Sequence, residues 1–283
     1  EKHLNQYDVI HFDVQWCMMD AGNADCVVEY INNGILQELK EKYGELIPDT
    51  VKTVYGAMSY IKAAAGNKFV VIIDEWDVLI RDEAQNHKVQ EEYIDFLRGM
   101  FKGSEPSKYI ALAYLTGILP IKKLKTQSAL NNFEEFTMLD AGRMAPYVGF
   151  TEAEVQEMLA YYALSSALPE VKEWYDGYLF NQIEIYNPWS IINFVYDRDR
   201  KITQFALPYW SNSSSNSIIR EMVGEADEEA KEDLETLING GTIEKRVHED
   251  ITYGDIHQSQ DNLWNFLFFT GYLKKISERK DAA

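Results

Sequence analysis

The sequence predicts an α/β fold, with a mostly parallel sheet flanked by helices over residues 1–150 and a mainly helical part over residues 151–283. The first observation is two runs of consecutive apolar residues, at 69–73 and 109–115, because strands buried inside a parallel sheet have this pattern. The second is the apolar spacing of three and four residues between those runs, which is typical of amphipathic helices. Strands that alternate with helices favour a layered parallel sheet.

Four strands and three helices are predicted before residue 150. The strands are expected at residues 7–14, 69–73, 109–115 and 135–139. The helices are expected from an Asp25 cap to Tyr43, from residues 48–50 to the turn at Gly66, and from about residue 88 to residue 101. Each helix carries its apolar side chains along one face, which predicts one buried side for each.

Local signals after residue 150 predict helices joined by turns. Thr151 with Glu154 three residues later forms a capping-box pattern, and Asn187 followed by Pro188 predicts a second helix start. Residues 174–178 are interpreted as a turn. Further helices are expected near residues 217–238 and 261–273. The large side chains expected in the core are Trp174, Tyr178 and Trp189.

Composition narrows the classes of partner. The net charge of −19, from 46 acids and 27 bases, makes contact with a phosphate backbone unfavourable, so no direct nucleic-acid binding is expected. A basic patch at Lys122, Lys123 and Lys125 is interpreted as a solvated loop. No apolar run reaches the roughly 18–20 residues of a membrane span, so no membrane is expected. Two cysteines are too few for a disulfide framework, which favours a cytoplasmic location.

Two acids, Asp74 and Glu75, directly follow the apolar run at residues 69–73. Ligands of open α/β sheets bind at the carboxyl ends of the strands, and an Asp-Glu pair there has the form of a Walker B element that serves Mg²⁺ and a nucleotide γ-phosphate. The alternative is that the two acids only cap the following turn. The nearby Asp77 is expected to pair with a base such as Arg81.

Residues 71–77, VIIDEWD, resemble the Walker B segment of a bacterial AAA-ATPase-like family whose members often carry a C-terminal PD-(D/E)xK nuclease-like domain. Further stretches resemble the same family, in the same order along the chain. They are LTG at 115–117, LNNF at 130–133, VGFTEAEV at 148–155, WYDGY at 174–178, IYNPWS at 185–190, PYW at 208–210 and FTGYL at 269–273. Together they extend the resemblance over about residues 7–276.

The resemblance implies a P-loop NTPase-like sheet and the cofactors ATP and Mg²⁺. Asp74 would hold the Mg²⁺, usually through water, and Glu75 would be the catalytic acid or base that serves the attacking water. Thr116 would sense the γ-phosphate from the adjacent strand, or its hydroxyl would only close the strand end. Arg143 would bring a positive charge to a phosphate, or would form a surface salt bridge.

One part of the family pattern is missing. Family members carry a Gly-rich phosphate loop (Walker A) that ends in Gly-Lys-Ser/Thr, but none of the 16 glycines here is followed by lysine. No nuclease-like domain is recognised either. The chain is therefore expected to be a fragment that is inactive alone, whose sheet is gapped or has an edge covered by another chain or by upstream residues.

Three functions remain open at this stage. The first is the core of an NTPase that binds and hydrolyses ATP in an intact parent protein. The second is a protein-interaction or regulatory module, in which the acidic helical part binds a protein partner and the α/β part is a scaffold. The third is a metal-dependent nuclease, which the acidic charge disfavours.

Overall fold

The computed structural model describes residues 2–83, 86–118, 130, 132–211, 223–224, 226–247 and 260–279. The described residues form two compact units, the first within Glu1–Glu135 and the second from Phe136 onward, so the first unit ends ahead of the boundary near residue 150 that the sequence favours. The basic patch at residues 122–125 lies outside the described residues. Among the described helices, none combines the length and the apolar character that crossing a bilayer requires.

The first unit is a parallel sheet with helices between its strands, which confirms the predicted α/β class. In chain order its elements are β1 (Asp8–Asp13), α1 (Val14–Ala21), α2 (Val27–Tyr43), α3 (Val54–Ala65), β2 (Phe69–Asp74), α4 (Val78–Asp82), α5 (His87–Phe101), α6 (Pro106–Tyr109) and β3 (Ile110–Leu115). The strands pair in the order β1-β2-β3 without a gap between them. The last residue of β1, Asp13, is the register partner of Asp74 at the end of β2, so the carboxyl ends meet at one edge.

Within the described residues, one face of the sheet is more deeply buried than the other. Phe69, Val71 and Ile73 of the central strand are fully buried in the main hydrophobic core, together with residues of the surrounding helices. On the opposite face, Leu112 of β3 is 57% exposed, and Val9 of β1 is also exposed. Val70 and Ile72 of the central strand are only partly buried, so within the described residues the strand is not fully buried on both faces, contrary to the prediction from its apolar run.

Two helix starts differ from the sequence prediction. The side chain of Asn23, not Asp25, accepts a backbone hydrogen bond at the short 3-10 turn that precedes α2. The next helix begins at Val54 rather than at residues 48–50, because the Thr53 hydroxyl accepts a bond from Gly56 N at 3.2 Å and caps it there. Asn23 lies two residues before Asp25 and caps the 3-10 turn, whereas α2 itself begins at Val27 without a side-chain cap.

The strand predicted at residues 135–139 does not form. The Thr137 hydroxyl accepts hydrogen bonds from the backbone N–H groups of Leu139 and Asp140, at 3.2 and 3.1 Å. Thr137 N in turn donates to Asp140 O at 3.0 Å, which closes a local turn. A hydroxyl that satisfies nearby N–H groups competes with strand pairing, so this segment bends.

Within its described ranges, the second unit contains five α-helices of eight or more residues and a small antiparallel sheet of order β4-β6-β5. Its elements are β4 (Phe150–Thr151), α7 (Glu152–Tyr161), α8 (Leu168–Tyr175), β5 (Asp176–Phe180), β6 (Ile183–Tyr186), α9 (Pro188–Asp199), α10 (Glu228–Ile238) and α11 (Gln260–Phe269). The capping box at Thr151 and the Asn187 cap form as predicted. Residues 174–178 are not a turn, because α8 passes directly into β5 at Asp176.

The core of the second unit is built from residues other than the predicted large anchors. Trp174 and Trp189 are each about half exposed. The buried cluster instead includes Val155, Tyr186 and Phe194. Aromatic side chains were expected inside on the basis of their size, but the helix faces that carry the two tryptophans do not pack on this cluster.

Candidate functional site

The carboxyl end of the central strand brings together three of the residues predicted for a site. Asp74 ends β2, Glu75 follows it, and Thr116 follows β3 on the neighbouring strand. The Thr116 hydroxyl donates a hydrogen bond to Asp74 Oδ1. Thr116 N donates to Ile73 O at 2.9 Å, and this main-chain bond continues the parallel ladder by one residue. The ladder therefore places the hydroxyl beside the carboxylate.

Asp74 has one oxygen engaged and one available. Oδ1 accepts from the Thr116 hydroxyl and from Glu75 N, the latter at 3.1 Å. Within the described residues nothing donates to Asp74 Oδ2, and the side chain is exposed. An exposed carboxylate oxygen beside a hydroxyl fits a hydrated Mg²⁺, which keeps several water ligands and takes only one or two from protein.

Asp13 is a rim acid that the sequence analysis did not select. It ends β1 opposite Asp74, but its carboxylate accepts from Trp16 N at 2.8 Å and caps α1. The available signal was an acid at the end of a second apolar strand, the same pattern that selected Asp74. In the part of the chain that the structure describes, no group of three or more His, Cys, Asp or Glu residues has metal-holding geometry. A cation at Asp74 would therefore take most of its ligands from water or phosphate.

Glu75 has an unusual backbone. Its φ is 50°, in the left-handed region that side chains other than glycine rarely adopt, so the residue carries strain at the strand end. Burial raises the pKa of the Glu75 carboxyl, and the negative charges of Asp77 and Asp74 act in the same direction. Arg81 opposes this shift through an ion pair at 3.4 Å.

Asp77 is buried, and its carboxylate contacts the chain that follows β3. Its side chain is 1% exposed, and Oδ2 accepts from Ile118 N at 3.0 Å. Arg81, the base expected to pair with it, forms ion pairs with Glu75 and Asp82. The main chain of Trp76 is fixed on both sides, because its N–H donates to Thr116 O at 2.9 Å and its carbonyl accepts from Tyr93 Oη at 2.8 Å.

Arg143 belongs to the second unit, whereas the other predicted site residues belong to the first. It lies in a short 3-10 helix, Gly142–Tyr147, with an exposed side chain. Its guanidinium stacks over the Phe136 ring at 5.6 Å from the centroid. Its role toward a phosphate stays a prediction.

Comparison with known proteins bears on the first unit. Residues 1–126 match the AAA-ATPase-like family, described as predicted AAA-ATPase, which confirms the family resemblance for these residues. A protein of Azotobacter chroococcum mcd 1, described as an uncharacterized protein in the vnfD 5' region, is 25% identical over 190 residues, which are 67% of this chain. The match covers 33% of that protein, so the chain spans about a third of its relative's length. No solved structure matches the chain.

Proposed function

Since residues 1–126 match the AAA-ATPase-like family, we propose that the first unit is the core of a P-loop NTPase-type ATPase. In this proposal the unit binds Mg-ATP and hydrolyses it as part of a longer protein. The single observation that supports it most is the contact between Asp74 and Thr116 at the end of the central strand, with Glu75 next in the chain. Bound ligands of open α/β sheets occupy this edge.

Each residue has a distinct part in the proposed chemistry. Asp74 would hold a hydrated cation through Oδ2, and the cation would supply positive charge to the phosphates. Thr116 donates to Asp74 and keeps that carboxylate in one orientation. Glu75 orients the attacking water and accepts its proton, the role of a general base.

The proposal needs phosphate-binding groups from outside these 283 residues. The sequence contains no Gly-Lys dipeptide, so it lacks the lysine that neutralises the β- and γ-phosphates in phosphate loops. Arg143 is proposed as an additional positive charge toward the phosphates. A cytoplasmic location is a separate part of the proposal. ATP binding by this chain alone is expected to be weak.

Calorimetric titration of Mg-ATP into a longer version of the chain, preceded by the family's Gly-rich phosphate loop, tests the proposal. Asp74→Asn is expected to weaken the magnesium-dependent part of binding about tenfold or more, because it removes a ligand charge. Glu75→Gln is expected to keep binding and to lower the hydrolysis rate by roughly 10²–10⁴-fold, the usual contribution of a general base.

Glu41→Gln, an exposed change on α2, is the matched control, and it should alter neither binding nor rate. Absence of any magnesium-dependent heat of binding in the unmutated longer protein would contradict the proposed function. Equal hydrolysis by the Glu75→Gln protein would contradict the role of Glu75.

A second candidate is protein binding through the second unit. Helix α9 exposes Trp189, Ile192 and Tyr196, which are spaced by three and four residues and so lie on one face. Acidic α10 also exposes Ile238 near its end. Exposed apolar stripes of this kind are used for helix-to-groove contacts. Copurification of the same partner with the Asp74→Asn/Glu75→Gln protein, and its loss with Trp189→Ser/Tyr196→Ser, would support this candidate.

A further inference from the structure

The ends of β2 and β3 are joined beyond the last ladder residues. Trp76 N donates to Thr116 O at 2.9 Å, so the segments that follow β2 and β3 remain paired after both strands end. One step further, Ile118 N donates to Asp77 Oδ2 at 3.0 Å. The Asp77 carboxylate thus accepts the bond from Ile118 N, whereas the N–H group of Thr116 donates to a main-chain carbonyl, that of Ile73. The turn after β3 is consequently tied to the turn after β2.

Gly117 permits this close approach. A methyl group on Gly117 would lie 2.5 Å from Trp76 Cδ1 and 2.7 Å from Asp77 Oδ1, both far inside van der Waals contact. Trp76 cannot retreat easily, because its side chain is buried and its carbonyl accepts from Tyr93. Any side chain at residue 117 would therefore push the two turns apart.

Asp77 is a buried carboxylate that accepts a hydrogen bond from the segment after β3. Carboxylates are rarely buried, because removal from water disfavours the charged form unless hydrogen bonds satisfy it. Here the carboxylate accepts a bond from Ile118 N, two residues beyond Thr116, whose hydroxyl contacts Asp74. The Asp77 carboxylate is thus placed to hold the segment that carries Thr116.

We propose that Asp77 is a positioning residue for the Asp74–Thr116 pair: it holds Ile118, and through the short link at Gly117 it keeps the Thr116 hydroxyl against Asp74. The consequence for magnesium binding depends on the proposed function, whereas the geometry does not. Thr116 keeps its two main-chain bonds when Asp77 is changed, so the strand end should persist while the side chain loses its fixed orientation.

Amide hydrogen exchange and chemical shifts of the whole 283-residue chain, followed by NMR, test the inference. In Asp77→Ala, exchange of the Ile118 amide should accelerate roughly tenfold or more, since its acceptor is lost, and the Thr116 amide and methyl signals should shift. In Asp77→Asn, the amide oxygen can accept the same bond, so the Ile118 rate should stay within about threefold of the original and the Thr116 signals should be restored.

Two further variants keep the test decisive. Gly117→Ala should displace the Thr116 signals from the other side of the contact, and it serves if Asp77→Ala does not fold. Asn67→Ala is the matched control, because it removes hydrogen bonds to Asp8 and Tyr43 at the opposite edge of the sheet. Unchanged Ile118 exchange in Asp77→Ala, or equal Thr116 shifts in Asn67→Ala, would overturn the inference.

A second measurement separates the inference from the proposed function. Titration with Mn²⁺ alone should broaden the Thr116 and Glu75 amide signals of the unmutated chain, and at the same Mn²⁺ concentration broaden them several-fold less in Asp77→Ala. No broadening in the unmutated chain would count against the cation site itself while the exchange result stood. Broadening that is equal in both proteins would overturn the positioning role.

Discussion

The hydroxyl of Thr116 donates a hydrogen bond to Asp74 Oδ1, although the two residues are 42 positions apart in the chain. The bond exists because β3 lies parallel to β2, with Leu115 in register with Ile73. Each strand therefore delivers its next polar residue to the same edge. The pair links the fold directly to the chemistry proposed for the site.

Loss of the Thr116 hydroxyl should weaken cation binding more than stability. Thr116→Val keeps the shape of the side chain but removes the donor to Asp74, and hydrogen bonds to charged groups contribute about 1.5–3 kcal/mol. We expect Mn²⁺ affinity, measured by calorimetry, to fall about tenfold or more. Thr116→Ser should retain most of the affinity. Equal affinity of the valine and serine variants would contradict the role of the hydroxyl.

The backbone strain at Glu75 predicts an unusual stability change. Glu75→Gly and Glu75→Ala both remove the ion pair to Arg81, but only glycine adopts a φ of 50° without a steric cost. The glycine variant should therefore unfold in urea with a free energy about 1 kcal/mol higher than that of the alanine variant. Exposed helix interiors show the opposite order, so Glu38→Gly and Glu38→Ala on α2 are a suitable control pair.

Because of Asp8, the free energy of unfolding should change with pH in the acidic range. Burial opposes ionisation, but hydrogen bonds from Lys42, Tyr43 and Asn67 outweigh it and hold the pKa of Asp8 below its usual 3.8. A lowered folded-state pKa means that the contribution is present above about pH 4 and is lost as the pH falls through the folded value. Asp8→Asn should cost about 1–2 kcal/mol at pH 7 and clearly less at pH 3, measured by urea unfolding.

The exposed Asp49→Asn is the control for Asp8, and its effect should be small at both pH values. If Asp8→Asn cost the same at pH 3 and pH 7, the charge of Asp8 would not be the source of the stabilisation. Guanidinium chloride should be avoided in this experiment, because its ionic strength screens the ion pair with Lys42.

Two leucines that differ in burial should differ in how much their truncation destabilises the protein. Leu112 is 57% exposed, whereas Leu97 on α5 is fully buried in the core. Leu97→Ala should lower the free energy of unfolding by about 2–5 kcal/mol, and Leu112→Ala by less than about 1 kcal/mol. Comparable losses in thermal or urea unfolding would mean that the face around Leu112 is covered in solution.

The helix cap at Thr151 can be tested by a conservative pair. Thr151 N donates to Glu154 Oε2 at 2.8 Å, and the Thr151 hydroxyl accepts from Glu154 N. Thr151→Ala should destabilise the second unit by about 1 kcal/mol, the usual value of an N-cap, while Thr151→Ser should be nearly neutral. Circular dichroism during thermal unfolding measures both. A loss as large in serine as in alanine would contradict the cap.

Local patterns in the sequence were enough for several elements. The apolar run that became β2, the helix that became α5, and the caps at Thr151 and Asn187 all depend on residues within a few positions of each other. Such signals are readable because hydrophobic spacing and capping are short-range effects. The acids at Asp74 and Glu75 were selected for the same reason, since they directly follow the run.

Only the tertiary structure decided the rest. Whether Thr116 meets Asp74, and whether Asp77 reaches Ile118, depends on the register between β2 and β3, which is set by contacts distant in sequence. The more exposed face of the sheet has the same origin, because an apolar run indicates that a strand can be buried but not which neighbour covers it. The turn at residues 135–139 is instead a local effect, in which the Thr137 hydroxyl competes with strand pairing. Composition and pattern therefore determined the class of fold and the candidate acids, while strand pairing determined which of them meet.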